Sequence, residues 1–383
     1  MASNRPSTLL LRVDGFGWQD CLATGPGSAI LGSLLFSALF PAPMSVKFLL
    51  RVAGTLLLAW AAAAACVALH TPLPWMLGPL VATSVLSMAG APTESWGPLR
   101  NGGQWAIGAA LGLYFTPEVS ALVGSLWWAI VLGIGWALLL GWGFGAWLYR
   151  LHAPRMHGVP ASMLRSTSYF AGAIGAASEM TLLSERENAR TDLVAASHSL
   201  RLLIVTITIP FALQWSGLQG LDILIPTVRD VSWPGLALLA LLTGAGALVM
   251  DRLGRANPWF MGAMLVSMAV TMAGLHLSAV PQAVVNAAQL VIGVSLGVRF
   301  RAEFLHTAPR WLASVAVGTF GLMGICAAFA AVLAWATGLP WVTLLLGTSP
   351  GGITEMAITA KVLQLGVPVV TAFQVCRLIA VLM

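Results

Sequence analysis

The sequence carries very little charge for its length. Of its 383 residues, 19 are Lys or Arg and 13 are Asp or Glu, which is 8%, whereas a soluble globular domain carries roughly 25%. Hydrophobic residues make up 58%. So few charged residues cannot form a water-facing surface around so large an apolar core, and the same composition excludes a disordered chain. We therefore predict an all-α polytopic membrane protein.

Cysteine and histidine are scarce and scattered. The four cysteines stand singly, without a Cys-x-x-Cys pair, so neither a disulfide framework nor a zinc site is predicted. Of the six histidines only His152 and His157 lie close together, whereas a copper or iron oxygenase needs clustered ligands. We expect no metal site, no cofactor and no enzymatic activity.

The sequence also lacks a basic domain that could read nucleic acid. The net charge of +6 comes from short Lys and Arg clusters between apolar segments, and no loop is long enough to hold a folded DNA reader. The expected partners are the lipid bilayer and a small-molecule solute, with no direct contact to nucleic acid. A homodimer is left open.

A duplication organises the apolar segments. Six of them precede the polar stretch 216–232, and six follow it. The motif that begins at Pro74-Trp75 returns at Pro258-Trp259. One constant offset relates Gly175, Glu179, Met180 and Arg201 to Gly351, Glu355, Met356 and Arg377. We predict an N-terminal extension over 1–43, a first repeat over 44–215, a linker over 216–232 and a second repeat over 233–383. Either the extension is a peripheral tail, or the native start is Met44 and the extension lies upstream of it. We favour the native start at Met44.

The distribution of Lys and Arg predicts the topology. If the fifth segment of each half, 160–184 and 341–365, does not cross the membrane, almost all basic residues fall on one face, leaving Arg229 and Lys361 on the other. The positive-inside rule then favours five crossings per half plus a re-entrant segment, with the N-terminus in the cytoplasm. An odd number of crossings inverts the second half relative to the first. A broken spanning helix is the alternative for each fifth segment.

Glycine interrupts both of these fifth segments near their centres. Broken backbone at membrane depth is tolerated only beside protein or a water-filled cavity, and the following helix presents an N-terminus that suits an anion. The alternative is a simple turn between packed helices. The predicted substrate-binding residues of the breaks are Gly172, Gly175, Ser178, Ser349, Pro350, Gly351, Gly352 and Thr354.

Charged side chains stand at matching positions beside the two breaks. Glu179 and Glu355 are predicted to couple transport to H⁺ or Na⁺, and the alternative is that each stabilises the N-terminus of its helix. Arg201 and Arg377 each follow a hydrogen-bonding residue by one turn. Each Arg could bind a substrate carboxylate or neutralise the nearby Glu. The residues one turn earlier, which we add to the predicted site as hydrogen-bond partners, are His198 and Gln374.

A stripe of glycines recurs in the third segment of each half. Gly108 and Gly112 follow Gln104 at intervals of four residues, and Gly293 and Gly297 follow Gln289 in the same way. Small residues at this spacing predict close approach of a neighbouring helix.

These motifs resemble those of the bacterial AbrB-duplication membrane proteins. That family carries Pro-Trp-x-x-Gly-Pro near the start of its module and Pro-Gly-Gly-x-[Ser/Thr]-Glu-Met near its end, which here are residues 74–79 and 350–356. The first copy of the second motif, residues 173–180, lacks the Pro and one Gly.

The resemblance implies an integral inner-membrane protein. The family is labelled a regulator of gene expression and, by inherited naming, an ammonia monooxygenase, and its pattern is similar to that of broken-helix secondary transporters. We favour a secondary transporter of a small anionic solute with H⁺ or Na⁺ coupling. A membrane sensor that regulates genes indirectly is the alternative, and the oxygenase is disfavoured.

Overall fold

The computed structural model describes residues 45–154, 159–175, 177–218, 230–300 and 308–382, without the side chains of Ser178 and Leu382. The predicted extension over 1–43 and most of the predicted linker lie outside these ranges. The described residues form fifteen helices and no strand. The first eight are α1 (Val46–Ala68), α2 (Pro74–Met88), α3 (Gly97–Gly112), α4 (Pro117–Ser125), α5 (Trp127–His152), α6 (Ala161–Gly172), α7 (Ala177–Arg186) and α8 (Thr191–Ser216). The other seven are α9 (Trp233–Arg252), α10 (Pro258–Met272), α11 (Gln282–Gly297), α12 (Pro309–Thr337), α13 (Trp341–Thr348), α14 (Ile353–Val362) and α15 (Val367–Leu382).

Five of the described helices are long and apolar enough to cross a bilayer, namely α1, α5, α8, α9 and α12. The helices α3 and α4, bent by 90° relative to each other, pass the same test as a pair. Four shorter apolar helices, α2, α10, α11 and α15, accompany them. This composition confirms an all-α polytopic membrane protein.

The apolar run from 119 to 149 does not form a single helix. Helix α4 ends at Ser125, and α5 begins at Trp127 after a turn in which Leu126 has φ −91° and ψ 10°. Gly124 and Ser125 directly precede this turn, and glycine is a weak helix former, but the hydropathy of the run does not mark a boundary there.

The two halves pack against each other reciprocally. Helix α3 packs on α10, and its counterpart α11 packs on α2. A Cβ atom at Gly108 would lie 2.3 Å from the carbonyl oxygen of Phe260, and one at Gly293 would lie 2.6 Å from that of Met76. The glycine stripes therefore allow the close approach that the sequence predicted, at equivalent positions of both halves. Reciprocal contact between equivalent units is the signature of a two-fold relation.

Hydrogen bonds group the ends of the first-half helices into two faces. The amide N–H of Glu94, in the α2–α3 loop, donates to Thr55 Oγ1 at 3.1 Å, and the carboxylate of Glu94 lies 3.8 Å from Arg51 Nη1. We call this end of the molecule the Arg51 face. At the opposite end, which we call the His70 face, Gln214 Nε2 donates to the carbonyl oxygen of His70 at 3.1 Å. Since α8 is long enough to cross and ends at the His70 face, it begins at the Arg51 face.

The end of α5 also belongs to the Arg51 face. His152 Nε2 lies 3.1 Å from Ser314 Oγ, near the start of α12. The preceding helix, α11, ends beside the last turn of α2, where Ser87 Oγ donates to the carbonyl oxygen of Val298 at 3.5 Å. Because α2 ends at the Arg51 face, α11 ends there too, and α12 begins there. The segment α6–α7 thus leaves the Arg51 face after α5 and returns to it before α8. These contacts support a re-entrant segment.

The second half starts from the opposite face. The amide N–H of Ser232 donates to Ser278 Oγ at 3.1 Å, and the amide N–H of Ala279 donates to the carbonyl oxygen of Asp230 at 3.2 Å, so the start of α9 lies beside the α10–α11 loop. Because α11 ends at the Arg51 face, this loop before α11 lies at the His70 face. Helix α9 therefore runs from the His70 face to the Arg51 face, opposite to α1. This direction supports the predicted inversion of the second repeat.

Candidate functional site

Both predicted breaks separate pairs of short helices. Helix α6 ends at Gly172 and α7 begins at Ala177, while α13 ends at Thr348 and α14 begins at Ile353. In the second break Ser349 is extended, with φ −62° and ψ 149°. A residue before proline avoids helical geometry, and Pro350 has no N–H to donate, so α13 must end there.

The side chain of Glu355 folds back over the start of its own helix. A Cβ atom at Gly352, the residue that precedes α14, would lie 1.9 Å from Glu355 Oε2. The carboxylate thus occupies the space that any other residue at position 352 would need. A negative charge there is stabilised by the N-terminal end of the helix dipole. The salt bridges in the described ranges join Arg51 to Glu94 and Arg190 to Asp192, so they involve neither Glu355 nor Glu179.

In the first half, Arg201 binds the backbone at the end of α6. Its Nη1 donates to the carbonyl oxygens of Ala171 and Gly172 at 3.3 Å each, and its Nη2 donates to that of Ala173 at 2.7 Å. Nη2 also donates to His198 Nδ1 at 2.8 Å. Since Nδ1 accepts this bond, the ring proton lies on Nε2, which donates to the carbonyl oxygen of Phe170 at 2.9 Å.

The second half repeats this arrangement around Arg377. Its Nη1 donates to the carbonyl oxygen of Ser349 at 2.6 Å, and its Nη2 donates to that of Gly351 at 2.9 Å and to Gln374 Oε1. Gln374 Nε2 donates to the carbonyl oxygen of Leu346 at 2.7 Å. A neutral histidine and a glutamine thus play the same part, each with one acceptor toward the Arg and one donor toward the backbone.

These contacts give each buried Arg a backbone partner. The carbonyl groups at the end of a helix have no intrahelical donor and carry partial negative charge, which a guanidinium satisfies with several N–H groups at once. The sequence left a substrate carboxylate or the nearby Glu open as the partner of Arg201 and Arg377. The described contacts are with neither.

The two breaks open into one cavity of about 330 Å³. Residues from both halves line it, including both coupling candidates, Glu179 and Glu355. The predicted site residues on its wall are Gly175, Glu179, Gly351, Gly352, Thr354, Glu355 and Arg377.

The other predicted site residues lie behind this wall. Ser349 is fully buried, and its carbonyl oxygen is bound by Arg377. Gly172 packs against α5, where a Cβ atom would lie 2.5 Å from the amide nitrogen of Gly145. The side chain of Ser178 lies outside the described residues. The described predicted residues that do not line the cavity are Gly172, His198, Arg201, Ser349, Pro350 and Gln374.

Several charged residues on the cavity wall were missing from the predicted site. They stand near the ends of α3, α9 and α11 at the Arg51 face, where the sequence analysis used their charges only to assign topology. Gln104 was predicted to extend the packing stripe, from which it would either reach a cavity or hydrogen-bond a neighbouring helix, and it lines the cavity. The other polar residues on the wall, which were outside the predicted site, are Arg100, Asn101, Asp251, Arg255, Asn257, Ser295 and Arg299.

Metal-ligating side chains are not grouped in the described ranges. No set of three or more His, Cys, Asp or Glu residues among them is arranged to hold a metal ion. His157 and His306 lie outside these ranges.

Comparison with known proteins identifies the family. The family described as "Transition state regulatory protein AbrB" matches residues 75–383. "Putative regulator AbrB" of Escherichia coli K12 is 26% identical over 324 residues, which cover 82% of this chain and 89% of that protein. "Uncharacterized protein YhjN" of Bacillus subtilis 168 is 25% identical over 344 residues, which cover 80% and 84%. Since the match takes in both repeats and both breaks, the chain belongs to the AbrB family.

Proposed function

We propose that this protein is a secondary transporter of a small anionic solute in the bacterial inner membrane, with its N-terminus in the cytoplasm. One observation carries the proposal, which is that two interrupted segments, one from each half, open into the same charged cavity. In transporters built from inverted repeats, substrate and coupling-ion sites lie at the repeat interface beside discontinuous helices. No metal centre and no catalytic step are part of the proposal.

The charges around the cavity favour an anion. Four of the wall residues are Arg and three are Asp or Glu, which leaves one positive charge when all are ionised. The N-terminus of α14 lies on the same wall and adds the partial positive charge of the helix dipole. A solute with one negative charge would neutralise this lining.

Glu179 and Glu355 are the proposed coupling groups. Both residues line the cavity, and neither has a salt-bridge partner within the described ranges. Each can therefore gain or lose H⁺, or bind Na⁺ through oxygen, without breaking an ion pair.

Uptake into proteoliposomes tests the proposal. We expect wild-type protein to accumulate a labelled anionic solute when an H⁺ or Na⁺ gradient is imposed, and Glu355→Gln to lose at least 90% of that flux. Glu118→Gln is the matched control, because Glu118 lies in α4 and outside the cavity. Absence of gradient-driven flux for wild type across a broad anion and amino-acid panel would contradict transport.

A membrane sensor that regulates gene expression is the second candidate. The description of the family and the name of the Escherichia coli relative favour it. Such a sensor would act without direct contact to nucleic acid and would bind its solute in the same cavity. A transcriptional change on deletion, together with solute binding but no flux, would favour this role.

A further inference from the structure

The Arg51 end of the cavity contains two arginines that have no salt-bridge partner within the described ranges. Arg100, in the first turn of α3, is half-buried, and its Nε atom is fully enclosed without a hydrogen-bond partner. A buried donor left unpaired costs on the order of 1–3 kcal/mol, and more for a charged group. Arg100 lines the cavity with other atoms of its side chain, so an anion bound there can supply an acceptor that the described protein groups do not.

Arg299 is the second arginine. It follows α11, is half-buried, and lines the same cavity. Arg100 and Glu355 line this cavity as well. The described salt bridges do not include Arg299, so Glu355 and Arg299 share the cavity without forming an ion pair. Two guanidinium groups that line one cavity are stabilised by an anion bound between them.

These two arginines are not equivalent positions of the duplication. The offset that aligns Gln104 with Gln289 places Val285 opposite Arg100 and Tyr114 opposite Arg299. A search for residues shared by both repeats therefore could not find them. The pair is present once, at the Arg51 face, although the breaks are present twice.

We propose that Arg100 and Arg299 together bind the carboxylate of the solute, and that this carboxylate and Glu355 compete for the charge of Arg299. The inference rests on the proposed function for the idea that the bound solute is transported, whereas the binding itself can be tested without transport. When Glu355 is protonated, Arg299 is free for the solute, so that solute and proton bind together. When Glu355 is ionised, it draws Arg299 away.

The other charged groups on this wall are not part of the competition between Glu355 and the solute carboxylate for Arg299. Arg377 is bound to the carbonyl oxygens of the second break. Asp251 and Arg255 carry opposite charges at the α9–α10 loop, and Glu179 stands beside the first break. The charged groups that line the cavity together with Glu355 are Arg100, Glu179, Asp251, Arg255, Arg299 and Arg377.

Three compounds of the same size and different charge test the assignment. Succinate carries two negative charges, succinamate carries one, and succinamide carries none. We would measure their equilibrium binding to the purified full chain in detergent, from the shift in thermal unfolding midpoint with concentration. We expect the carboxylates, succinamate included, to raise the midpoint, and succinamide to leave it unchanged.

The variants locate the binding site. Arg100→Gln and Arg299→Gln should each weaken succinamate binding at least 10-fold. Arg252→Gln removes the same charge from an exposed position outside the cavity and should bind as wild type does. Should either Gln variant fail to fold, Arg100→Lys and Arg299→Lys keep the charge but not the fork-shaped donor set, and we expect a smaller loss.

The competition with Glu355 has its own readout. We expect wild-type affinity for succinamate to rise as the pH falls, and Glu355→Gln to bind tightly at every pH. A structural role for Arg100 and Arg299 would not produce this difference. Any of three results would overturn the proposal. The first is that succinamide binds as tightly as succinamate, and the second is that both Gln variants and both Lys variants keep wild-type affinity. The third is that Glu355→Gln shows the same pH profile as wild type.

Failure of the two proposals can be told apart. Carboxylate binding without flux in proteoliposomes would refute transport and leave the binding site in place. Flux with unaltered affinity in the Arg100 and Arg299 variants would refute the binding site and leave transport in place.

Discussion

Two buried arginines explain why the chain can be interrupted at these depths. Arg201 and Arg377 are almost completely buried, and each donates to carbonyl oxygens that the break leaves without a helical partner. Without those donors the carbonyl groups would be unsatisfied where water is scarce, at several kcal/mol each in lipid. Each arginine therefore stabilises the break beside it.

Replacing Arg377 by Gln should destabilise the protein by about 3 kcal/mol, because in a buried site the carbonyl oxygen of Gly351 would lose its Arg377 donor and that of Ser349 would keep only the longer bond from Gln374, at 3.4 Å. Thermal unfolding in detergent measures this loss. Arg51→Gln is the control, since the Arg51 side chain is 51% exposed and its removal should cost less than about 1 kcal/mol. Equal stability of the two variants would contradict this role of Arg377.

His198 should tolerate replacement by Gln but not by Leu. Gln keeps one acceptor for Arg201 and one donor for the carbonyl oxygen of Phe170, as Gln374 does in the second half. Leu keeps neither and should cost about 2 kcal/mol. The unfolding midpoints of both variants test this expectation, and a Gln variant as unstable as the Leu variant would show that the ring itself is required.

The sequence predicted which residues stand beside the breaks, but it could not predict their partners. The matching offset identified Arg201 with His198 and Arg377 with Gln374. Their acceptors are backbone carbonyl groups, which every residue carries and which therefore leave no pattern in a sequence. Arg100 and Arg299 were missed for another reason, because their place on one cavity wall depends on how the two halves meet.

At the scale of the helices, glycines set the distance between the halves. Ala at Gly108 would place a methyl group 2.3 Å from the carbonyl oxygen of Phe260, so α3 and α10 would have to separate. Overpacking of this kind costs typically about 1–3 kcal/mol. We expect Gly108→Ala to lower the free energy of unfolding by that amount.

The control for this prediction lies on the same helix. Gly102 has open space where its Cβ would be, and Gly→Ala within a helix stabilises by up to about 1 kcal/mol. Gly102→Ala should therefore leave the unfolding midpoint unchanged or raise it. If Gly108→Ala did the same, the close approach of the halves would be contradicted.

The sequence predicted both breaks and the glycine stripes because Gly, Pro and polar residues are conspicuous in apolar segments. It did not predict the turn at Leu126. Gly124 and Ser125 directly precede this turn, but glycine also occurs inside the helix that follows, for example at Gly133 and Gly135, so its presence did not distinguish a turn from a continuing helix.

Across the whole molecule, basic residues that were used to predict the topology also contribute to the cavity. Arg100, Arg255 and Arg299 come from different halves of the sequence, yet they line one cavity. The topology prediction required these three residues to share a face, and their place on one cavity wall agrees with it. The same charges that predict the orientation of the chain in the membrane thus also line the proposed site.

Each interrupted segment, α6–α7 and α13–α14, is proposed to return to the face from which it came, and the two segments are proposed to enter from opposite faces. Labelling of single cysteines with a membrane-impermeant maleimide tests it most directly, in a background where the four native cysteines are replaced by alanine. Arg186→Cys reports the end of α7 and Val362→Cys the end of α14, both exposed. Arg51→Cys and Leu69→Cys mark the two faces.

We predict that Cys at position 186 is labelled from the same side as Cys at position 51, and that Cys at position 362 is labelled from the same side as Cys at position 69. If the label at position 186 instead follows position 69, the first segment crosses the membrane and is not re-entrant. If the labels at positions 186 and 362 both follow position 51, the second segment crosses the membrane and is not re-entrant.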